Sequence, residues 1–140
     1  MKALSYQAKH FSWAPYSQTI EKAEPPSSGS VLETAVIWMH VEKSDEQDEK
    51  RIFRRTLKHI KWVANKRDLK NIVLHSFAHL GGAPASPAFA QQIILALKER
   101  LISTGYTVYT TPFGWFCAWE LSVYGDSMAK VFTHIQAKTP

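Results

Sequence analysis

One apolar run in the first third of the chain limits the fold more than any other feature. It covers residues 33–41, Glu-Thr-Ala-Val-Ile-Trp-Met-His-Val. Its shortness and its β-branched residues favour a strand over a helix, and the lack of polar alternation predicts burial on both faces. The chain is therefore expected to place a central strand inside a sheet.

Two amphipathic helices are predicted after this strand. The first follows Ser44, which has the spacing of a capping box with Gln47. The second begins at Ser86-Pro87, a favoured N-cap and first-turn pair, and ends near Gly105. Further strands are predicted at 2–13, 71–75, 106–110 and 115–124, with a hairpin strand at 18–22 and a third, short helix at 127–135. This order predicts an α/β fold with a mixed sheet and three helices, in a single domain spanning 1–140.

Basic residues are concentrated in the first predicted helix and just beyond it. The net charge of the chain is +5, and nine basic residues but one acidic residue lie between Lys50 and Lys70. Such a cluster suits a polyanion such as RNA, and it equally suits a solvated helix face. The candidates for contact with a nucleic acid are Arg51, Arg54, Arg55, Lys58 and Lys61.

Several classes of protein are disfavoured by composition. Cys117 is the only cysteine, so no internal disulfide forms, which fits a reducing compartment. No stretch approaches the roughly 20 apolar residues of a membrane span, and no signal-peptide core follows Met1. We therefore expect a cytoplasmic protein without membrane contact. The histidines lack metal-ligand spacing and no phosphate-binding glycine loop is present, so neither a metal nor a cofactor is expected.

Two segments carry chemical information. Phe77-Ala78-His79-Leu80 directly follows a predicted strand, where sites in open α/β sheets collect. His79 there either orients a substrate or water, or holds its own loop by hydrogen bonds. The second segment, Pro112 to Cys117, places aromatic residues at a bend, which suits either a floor for a base or sugar or ordinary core packing. Cys117 on an apolar strand face is more typical of a small buried residue than of a nucleophile.

These segments, in this order and separation, resemble the N-terminal editing domain of archaeal-type threonyl-tRNA synthetases. The matching stretches are 77–80 (Phe-Ala-His-Leu), 105–108 (Gly-Tyr-Thr-Val), 112–117 (Pro-Phe-Gly-Trp-Phe-Cys) and 41–43 (Val-Glu-Lys). The resemblance implies the fold of D-aminoacyl-tRNA deacylases. It also implies a metal-free hydrolysis of the ester that joins a mischarged amino acid to the terminal adenosine of tRNA.

The resemblance also implies roles for individual residues. The family carries a lysine where this chain has Cys117, and a glutamate at or near Lys130. We therefore expect Lys130, on the last predicted helix, to supply an ammonium group to the cavity that holds His79 and Cys117, and these three are the catalytic candidates. The residues expected to contact the aminoacyl-adenosine are Val41, Ala78, Phe113 and Phe116.

Three functions remain open on the sequence alone. The leading hypothesis is a trans-acting deacylase, most simply for L-seryl-tRNA(Thr). The second keeps the fold and changes the substrate to a D-aminoacyl-tRNA or another mischarged tRNA. The third is a non-catalytic module for tRNA binding or oligomerisation. The expected partners are the acceptor end of tRNA, a second copy of the chain in a homodimer, and a separate threonyl-tRNA synthetase, because these 140 residues contain no synthetase module.

Overall fold

A six-stranded mixed sheet organises the computed structural model, which describes residues 1–138. The strand order is β4-β3-β2-β1-β5, and β6 pairs with the other part of the β1 edge. The elements are β1 Lys2–Gln18, β2 Gly29–His40, α1 Glu49–Asn65, β3 Asn71–Ser76, α2 Pro87–Ser103, β4 Thr107–Thr110, β5 Trp115–Val123 and β6 Lys130–His134. Single 3₁₀ turns occupy Lys43–Gln47 and Ser127–Ala129.

The central strand is β2, as the apolar run predicts. It pairs antiparallel with β1 and parallel with β3. Ala35, Ile37 and Met39 face a core shared with the helices, whereas Val36 and Trp38 face a second core on the opposite side of the sheet. Burial on both faces accounts for the lack of polar alternation in this part of the sequence.

Both long predicted helices are confirmed and cover one face of the sheet. Ile52, Ile60 and Leu97 are among their fully buried side chains. The start of α1 differs from the expectation, because the capping box is formed by Glu42 and Asp45 around the preceding 3₁₀ turn and not by Ser44 and Gln47. Among residues 1–138, no helix is both long and apolar enough to cross a membrane.

The prediction of a third helix at 127–135 is wrong. Residues 127–129 form one turn, and β6 then pairs antiparallel with residues 2–6 of β1. The long β1 strand pairs with β5 only from Ala8 onward, which leaves its first residues with unpaired backbone groups that β6 satisfies. The predicted hairpin strand at 18–22 is also wrong, since residues 19–28 connect β1 to β2 as a loop. The architecture is thus a mixed α/β domain with two α-helices.

The second core shows that the sheet is strongly curved. The rings of Trp38 on β2 and Trp119 on β5 stack with centroids 4.4 Å apart, although β1 lies between the two strands. Neighbouring strands alone are about 4.8 Å apart, so a flat sheet would keep these rings at roughly twice that distance. A register irregularity between Ala8 and His10 marks where β1 bends. The bend turns β5 over the face opposite the helices.

The turn before β5 depends on Gly114. Its φ of +88° lies in a region that residues with a Cβ atom rarely adopt. A Cβ atom added to Gly114 would lie 2.7 Å from Cγ1 of Ile20 and 2.9 Å from Cβ of Ala23. The turn therefore packs directly against the β1–β2 loop, and no side chain fits between them.

Gly114→Ala is predicted to destabilise the protein by about 2–4 kcal/mol, because a strained backbone and an overpacked contact add together. Gly105→Ala is the matched control, since Gly105 also has a positive φ, +102°, but no atom lies within 4 Å of the place that an added Cβ would take. We expect the control to lose about 1–2 kcal/mol, the backbone contribution alone. Urea unfolding of both variants measures the difference, and equal losses would show that the contact with Ile20 is not tight.

Candidate functional site

A cavity of about 630 Å³ opens at the carboxyl ends of β2 and β3. Its first wall is the end of β3 with the loop that follows, together with the first turn of α2. Its second wall is the turn at 112–114 and the start of β5, with Thr19 and Ile20 from the β1–β2 loop. The two sequence segments singled out above therefore face each other across one cavity.

The first wall is tied to the end of β2 by backbone hydrogen bonds. The amide of Ala85 donates to the carbonyl of Val41 over 2.9 Å, and the amide of Lys43 donates to the carbonyl of Ala83 over 2.9 Å. The amide of Leu80 donates to Nδ1 of His40 over 3.2 Å. These bonds fix both ends of the loop and hold it over the cavity.

An ionic network reinforces the same loop. The buried ammonium group of Met1 lies 2.6 Å from Oδ1 of Asp45 and 2.9 Å from Oε1 of Glu42. Nζ of Lys2 donates to the carbonyl of Gly81 over 2.6 Å. Burial raises the pKa of Glu42, but the ammonium of Met1 and the imidazole of His134 outweigh burial, so the net effect lowers this pKa. The carboxylate therefore stays charged and keeps the network intact at neutral pH.

The second wall is held by Glu24. Its carboxylate accepts a hydrogen bond of 2.8 Å from the amide of Phe113, and its amide donates to the carbonyl of Phe113 over 3.0 Å. Its own carbonyl accepts from Nε1 of Trp115 over 2.8 Å. Sequence reasoning treated this Pro-rich region only as a connector, and a single glutamate beside two prolines carries no pattern that would reveal the contact.

Most of the predicted site residues meet at this cavity. Those that line it are Val41, Ala78, His79, Phe113, Phe116 and Cys117. Lys130 is not among the lining residues. It begins β6 opposite Tyr6, its side chain is exposed, and Nζ donates to the carbonyl of Gly125 over 3.3 Å. The expectation that Lys130 reaches the cavity rested on a last helix, and the strand that replaces this helix directs the side chain elsewhere.

His79 lies between two aromatic rings at the rim. Its ring centroid is 5.2 Å from that of Phe77 and 5.7 Å from that of Phe116. Phe116 is 50% exposed although it is a large apolar side chain. Exposed aromatic and imidazole rings side by side offer a surface on which a flat ring can stack.

Cys117 contributes a neutral thiol. Burial raises the pKa of this thiol above its ordinary value. Sγ lies 4.0 Å from the carbonyl of Trp115. Because a thiolate, and not a thiol, is the nucleophile, the cavity provides no activated cysteine at neutral pH.

The cavity lining that the described residues form is free of Asp, Glu, Lys and Arg side chains. Its polar groups are hydroxyls, imidazoles, indole N–H groups, the Cys117 thiol and backbone amides. The amides of Ala78 and His79 make no hydrogen bond to any other described residue. In the same part of the chain, no three His, Cys, Asp or Glu side chains are grouped closely enough to hold a metal ion. Such a cavity can bind a flat, neutral molecule and can stabilise developing negative charge through amide dipoles.

Sequence reasoning missed His75. This residue of β3 lies on the cavity floor, is only 3% exposed, and its Nδ1 is 2.7 Å from Oγ1 of Thr111. Burial lowers the pKa of His75 to about 4, so the imidazole is neutral at pH 7. Strand alternation could have placed it on the face opposite Leu74, but nothing in the sequence indicates that Thr111 is its partner.

The basic cluster lies on the outer side of α1. Arg54, Arg55 and Lys58 are exposed, whereas Arg51 and Lys61 are partly covered. Since α1 follows the end of β2, its first turns lie at the edge of the sheet that carries the cavity. Other basic residues of the cluster have internal partners: Arg67, for example, donates to Gln7 and pairs with Asp126.

Comparison with known proteins gives consistent results. A family model described as the archaea-specific editing domain of threonyl-tRNA synthetase matches residues 1–135. The threonine–tRNA ligase of Methanobrevibacter smithii is 31% identical over 135 residues, covering 96% of this chain and 22% of that protein. The ligase of Thermococcus sibiricus is 33% identical over 111 residues, covering 79% of this chain and 18% of that protein. The chain therefore spans about a fifth of the length of these curated relatives.

Among solved structures, the c-Myc DNA unwinding element binding protein superposes with a TM-score of 0.61 at 15% identity. The match covers 98% of this chain and 100% of that chain. The similarity concerns the fold alone, and it supports the mixed α/β architecture of a single domain.

The buried histidines predict a loss of stability in mild acid. An unfolded histidine titrates near pH 6.5, whereas burial lowers the pKa of His75 to about 4 and also lowers those of His59 and His40. Between these pH values the unfolded chain binds protons that the folded chain does not, so the free energy of unfolding falls as the pH falls. The lowered pKa of His75 alone reduces the free energy of unfolding by about 3 kcal/mol at pH 4, since each pH unit below the unfolded pKa costs about 1.4 kcal/mol.

Urea unfolding between pH 4 and 8 measures this effect. His75→Phe should reduce the slope of stability against pH in the acid range, because one fewer proton is bound on unfolding. An unchanged slope would show that His75 is solvated and titrates normally in the folded protein.

Proposed function

Because this chain belongs to the family of archaea-specific editing domains of threonyl-tRNA synthetase, we propose that it hydrolyses mischarged tRNA, most simply L-seryl-tRNA(Thr). The observation that carries this proposal is the cavity itself, in which the Phe77–Leu80 loop and the Pro112–Gly114 turn form opposite walls. Editing of aminoacyl-tRNA is the general activity that the family supports. The serine substrate and action in trans are our proposals.

The shape of the cavity suggests how an acylated adenosine would enter. The rim carries the rings of His79 and Phe116, against which an adenine base can stack. The esterified amino acid is the terminal group on the ribose, so it would extend beyond the rim toward His75 and Cys117. A floor closed by buried side chains would limit the size of this amino acid.

The reaction requires little from the protein. A water molecule attacks the ester carbonyl carbon, the bond from this carbon to the ribose oxygen breaks, and the ribose oxygen takes up a proton, which releases serine and intact tRNA. The amides of Ala78 and His79, which have no hydrogen-bond partner among the described residues, would stabilise the negative charge that develops on the carbonyl oxygen. The imidazole of His79 would orient the water at the rim.

A non-catalytic role is the second candidate, and one observation favours it. Among the described residues the cavity has no charged side chain, and the neutral thiol of Cys117 stands where the resemblance places a lysine. Such a cavity could bind the acylated end of tRNA without hydrolysing it. A D-aminoacyl-tRNA as the substrate remains the other enzymatic alternative.

The partners follow from the same proposal. We propose the acceptor end of tRNA as the principal partner and the cytoplasm as the location. A homodimer and a separate threonyl-tRNA synthetase are further proposals, which sedimentation and co-purification with the synthetase would test.

The first prediction from this proposed function concerns turnover. The protein should release serine from L-seryl-tRNA(Thr) and leave L-threonyl-tRNA(Thr) largely intact. His79→Ala should lower kcat/KM by roughly 100-fold or more if this imidazole orients the water. Cys117→Ala should have little effect, because the thiol is uncharged. Acid-quenched assays with labelled amino acids measure the rates of the wild-type protein on both substrates and the rates of both variants on L-seryl-tRNA(Thr).

Lys130→Ala is the informative comparison in the same assay. The geometry predicts an unchanged rate, because Lys130 lies outside the cavity lining. A large loss in this variant would restore the catalytic role expected from the sequence. The absence of turnover on L-seryl-, D-aminoacyl- and other mischarged tRNAs would leave the non-catalytic alternative.

The second prediction concerns tRNA binding by α1. Replacing Arg54, Arg55 and Lys58 with glutamine should weaken binding of uncharged tRNA and reduce the slope of log K against log salt by about 1 per lost phosphate contact. Lys70→Gln is the control, since Lys70 is exposed and pairs with Asp68 at the opposite end of the sheet. Equal affinities for the triple variant and the control would show that tRNA does not bind on α1.

A further inference from the structure

His75 occupies an unusual position for a polar residue. It lies on β3 at the floor of the cavity, and it is 3% exposed. Aromatic rings surround it, with the centroid of Trp119 at 5.2 Å and that of Phe77 at 6.1 Å. A buried imidazole among apolar rings is costly unless both ring nitrogens find partners.

The bond to Thr111 determines which nitrogen carries the proton. Oγ1 of Thr111 lies 2.7 Å from Nδ1 of His75, and Thr111 is itself buried. Among residues 1–138 the Thr111 hydroxyl has no other hydrogen-bond acceptor, so its proton is satisfied only by donation to Nδ1. A neutral imidazole that accepts at Nδ1 carries its hydrogen on Nε2. The pair therefore fixes one tautomer.

The Nε2 hydrogen is then left for a bound molecule. In the part of the chain that the structure describes, the imidazole of His75 makes no hydrogen bond other than the one to Thr111. The ring lines the cavity, so a molecule bound there can reach Nε2. The competing acceptor is the face of the Trp119 ring, which lies perpendicular to the imidazole.

The depth of His75 indicates which part of a substrate it meets. His79 is exposed and Phe116 is half exposed at the rim, whereas His75 lies beneath them. A tRNA end that enters from solvent leaves its nucleotide at the rim and brings its amino acid to the floor. An N–H donor beside the ring of Trp119 and the thiol of Cys117 suits an amino acid with an oxygen on its side chain.

We propose that His75 is a specificity-determining residue whose Nε2–H, oriented by Thr111, donates a hydrogen bond to the side-chain hydroxyl of the esterified amino acid. This inference rests on the proposed function and specifies the chemistry of its substrate. The cavity selects serine over alanine, because an alanyl group would cover this N–H and leave it without a partner.

Binding of two non-hydrolysable ligands tests the inference. In these probes, nitrogen replaces the 3′ oxygen of adenosine and forms an amide with the carboxyl group of L-serine or L-alanine. Titration calorimetry measures their affinities for the protein. The wild-type protein should bind the seryl compound about 10-fold more tightly, the effect of one net hydrogen bond. His75→Phe should abolish this preference, so that the two compounds bind with equal affinity. Thr111→Val should reduce the preference, because Nδ1 loses the donor that fixes the tautomer.

Nitrogen NMR of His75 in the wild-type protein provides a second readout that needs no variant. The Nε2 resonance should shift on addition of the seryl compound and much less on addition of the alanyl compound. Equal affinities in the wild-type protein, a preference that survives in His75→Phe, or an Nε2 resonance that does not respond would each overturn the inference and leave Trp119 as the partner. Seryl preference without turnover of seryl-tRNA would contradict only the proposed function, and turnover without the preference would contradict only the role of His75.

Discussion

The backbone pairing between the end of β2 and the loop at 83–85 is the interaction on which the site depends. Two amide-to-carbonyl bonds, from Ala85 to Val41 and from Lys43 to Ala83, extend the sheet by one short antiparallel step. The carboxylates of Glu42 and Asp45 bind the ammonium group of Met1 at the same place, and Glu42 also pairs with Lys2. Without this attachment the loop that carries His79 would have no fixed position relative to the aromatic turn across the cavity.

The opposite wall is also held by a carboxylate together with backbone hydrogen bonds, which come from different residues. Glu24 accepts from the Phe113 amide through its side chain and pairs with Phe113 through its backbone. Each wall is thus a loop fixed by a carboxylate that faces away from the cavity, and among the described residues no charged group enters the cavity. Catalysis in such a place would rely on oriented amides and imidazole groups, which is sufficient for an activated ester and insufficient for more demanding chemistry.

The sequence predicts the elements whose signals are local. The run at 33–41 identifies the central strand, and the apolar spacing in α1 and α2 identifies both helices. The resemblance implies one cavity for the two motifs, and in the structure both follow parallel strands, β3 and β4, that end at the same edge. Prediction from the sequence fails where the partner of an element is distant in the chain. The strand β6 forms because the first residues of β1 present unpaired backbone groups. These groups are available because β1 is long and bent, which no local pattern indicates. The roles of Glu24 and Thr111 are hidden for the same reason, since each depends on a contact across the fold.

The central claim is that the cavity holds the acylated end of tRNA. The most direct measurement is a crystal structure of the protein with the seryl amide analogue of the tRNA terminal adenosine. The account predicts the adenine ring against Phe116 and His79, the amide carbonyl within hydrogen-bond distance of the Ala78 and His79 amides, and the seryl group on the floor. A ligand bound on another surface at saturating concentration, with the cavity free of it, would contradict the account.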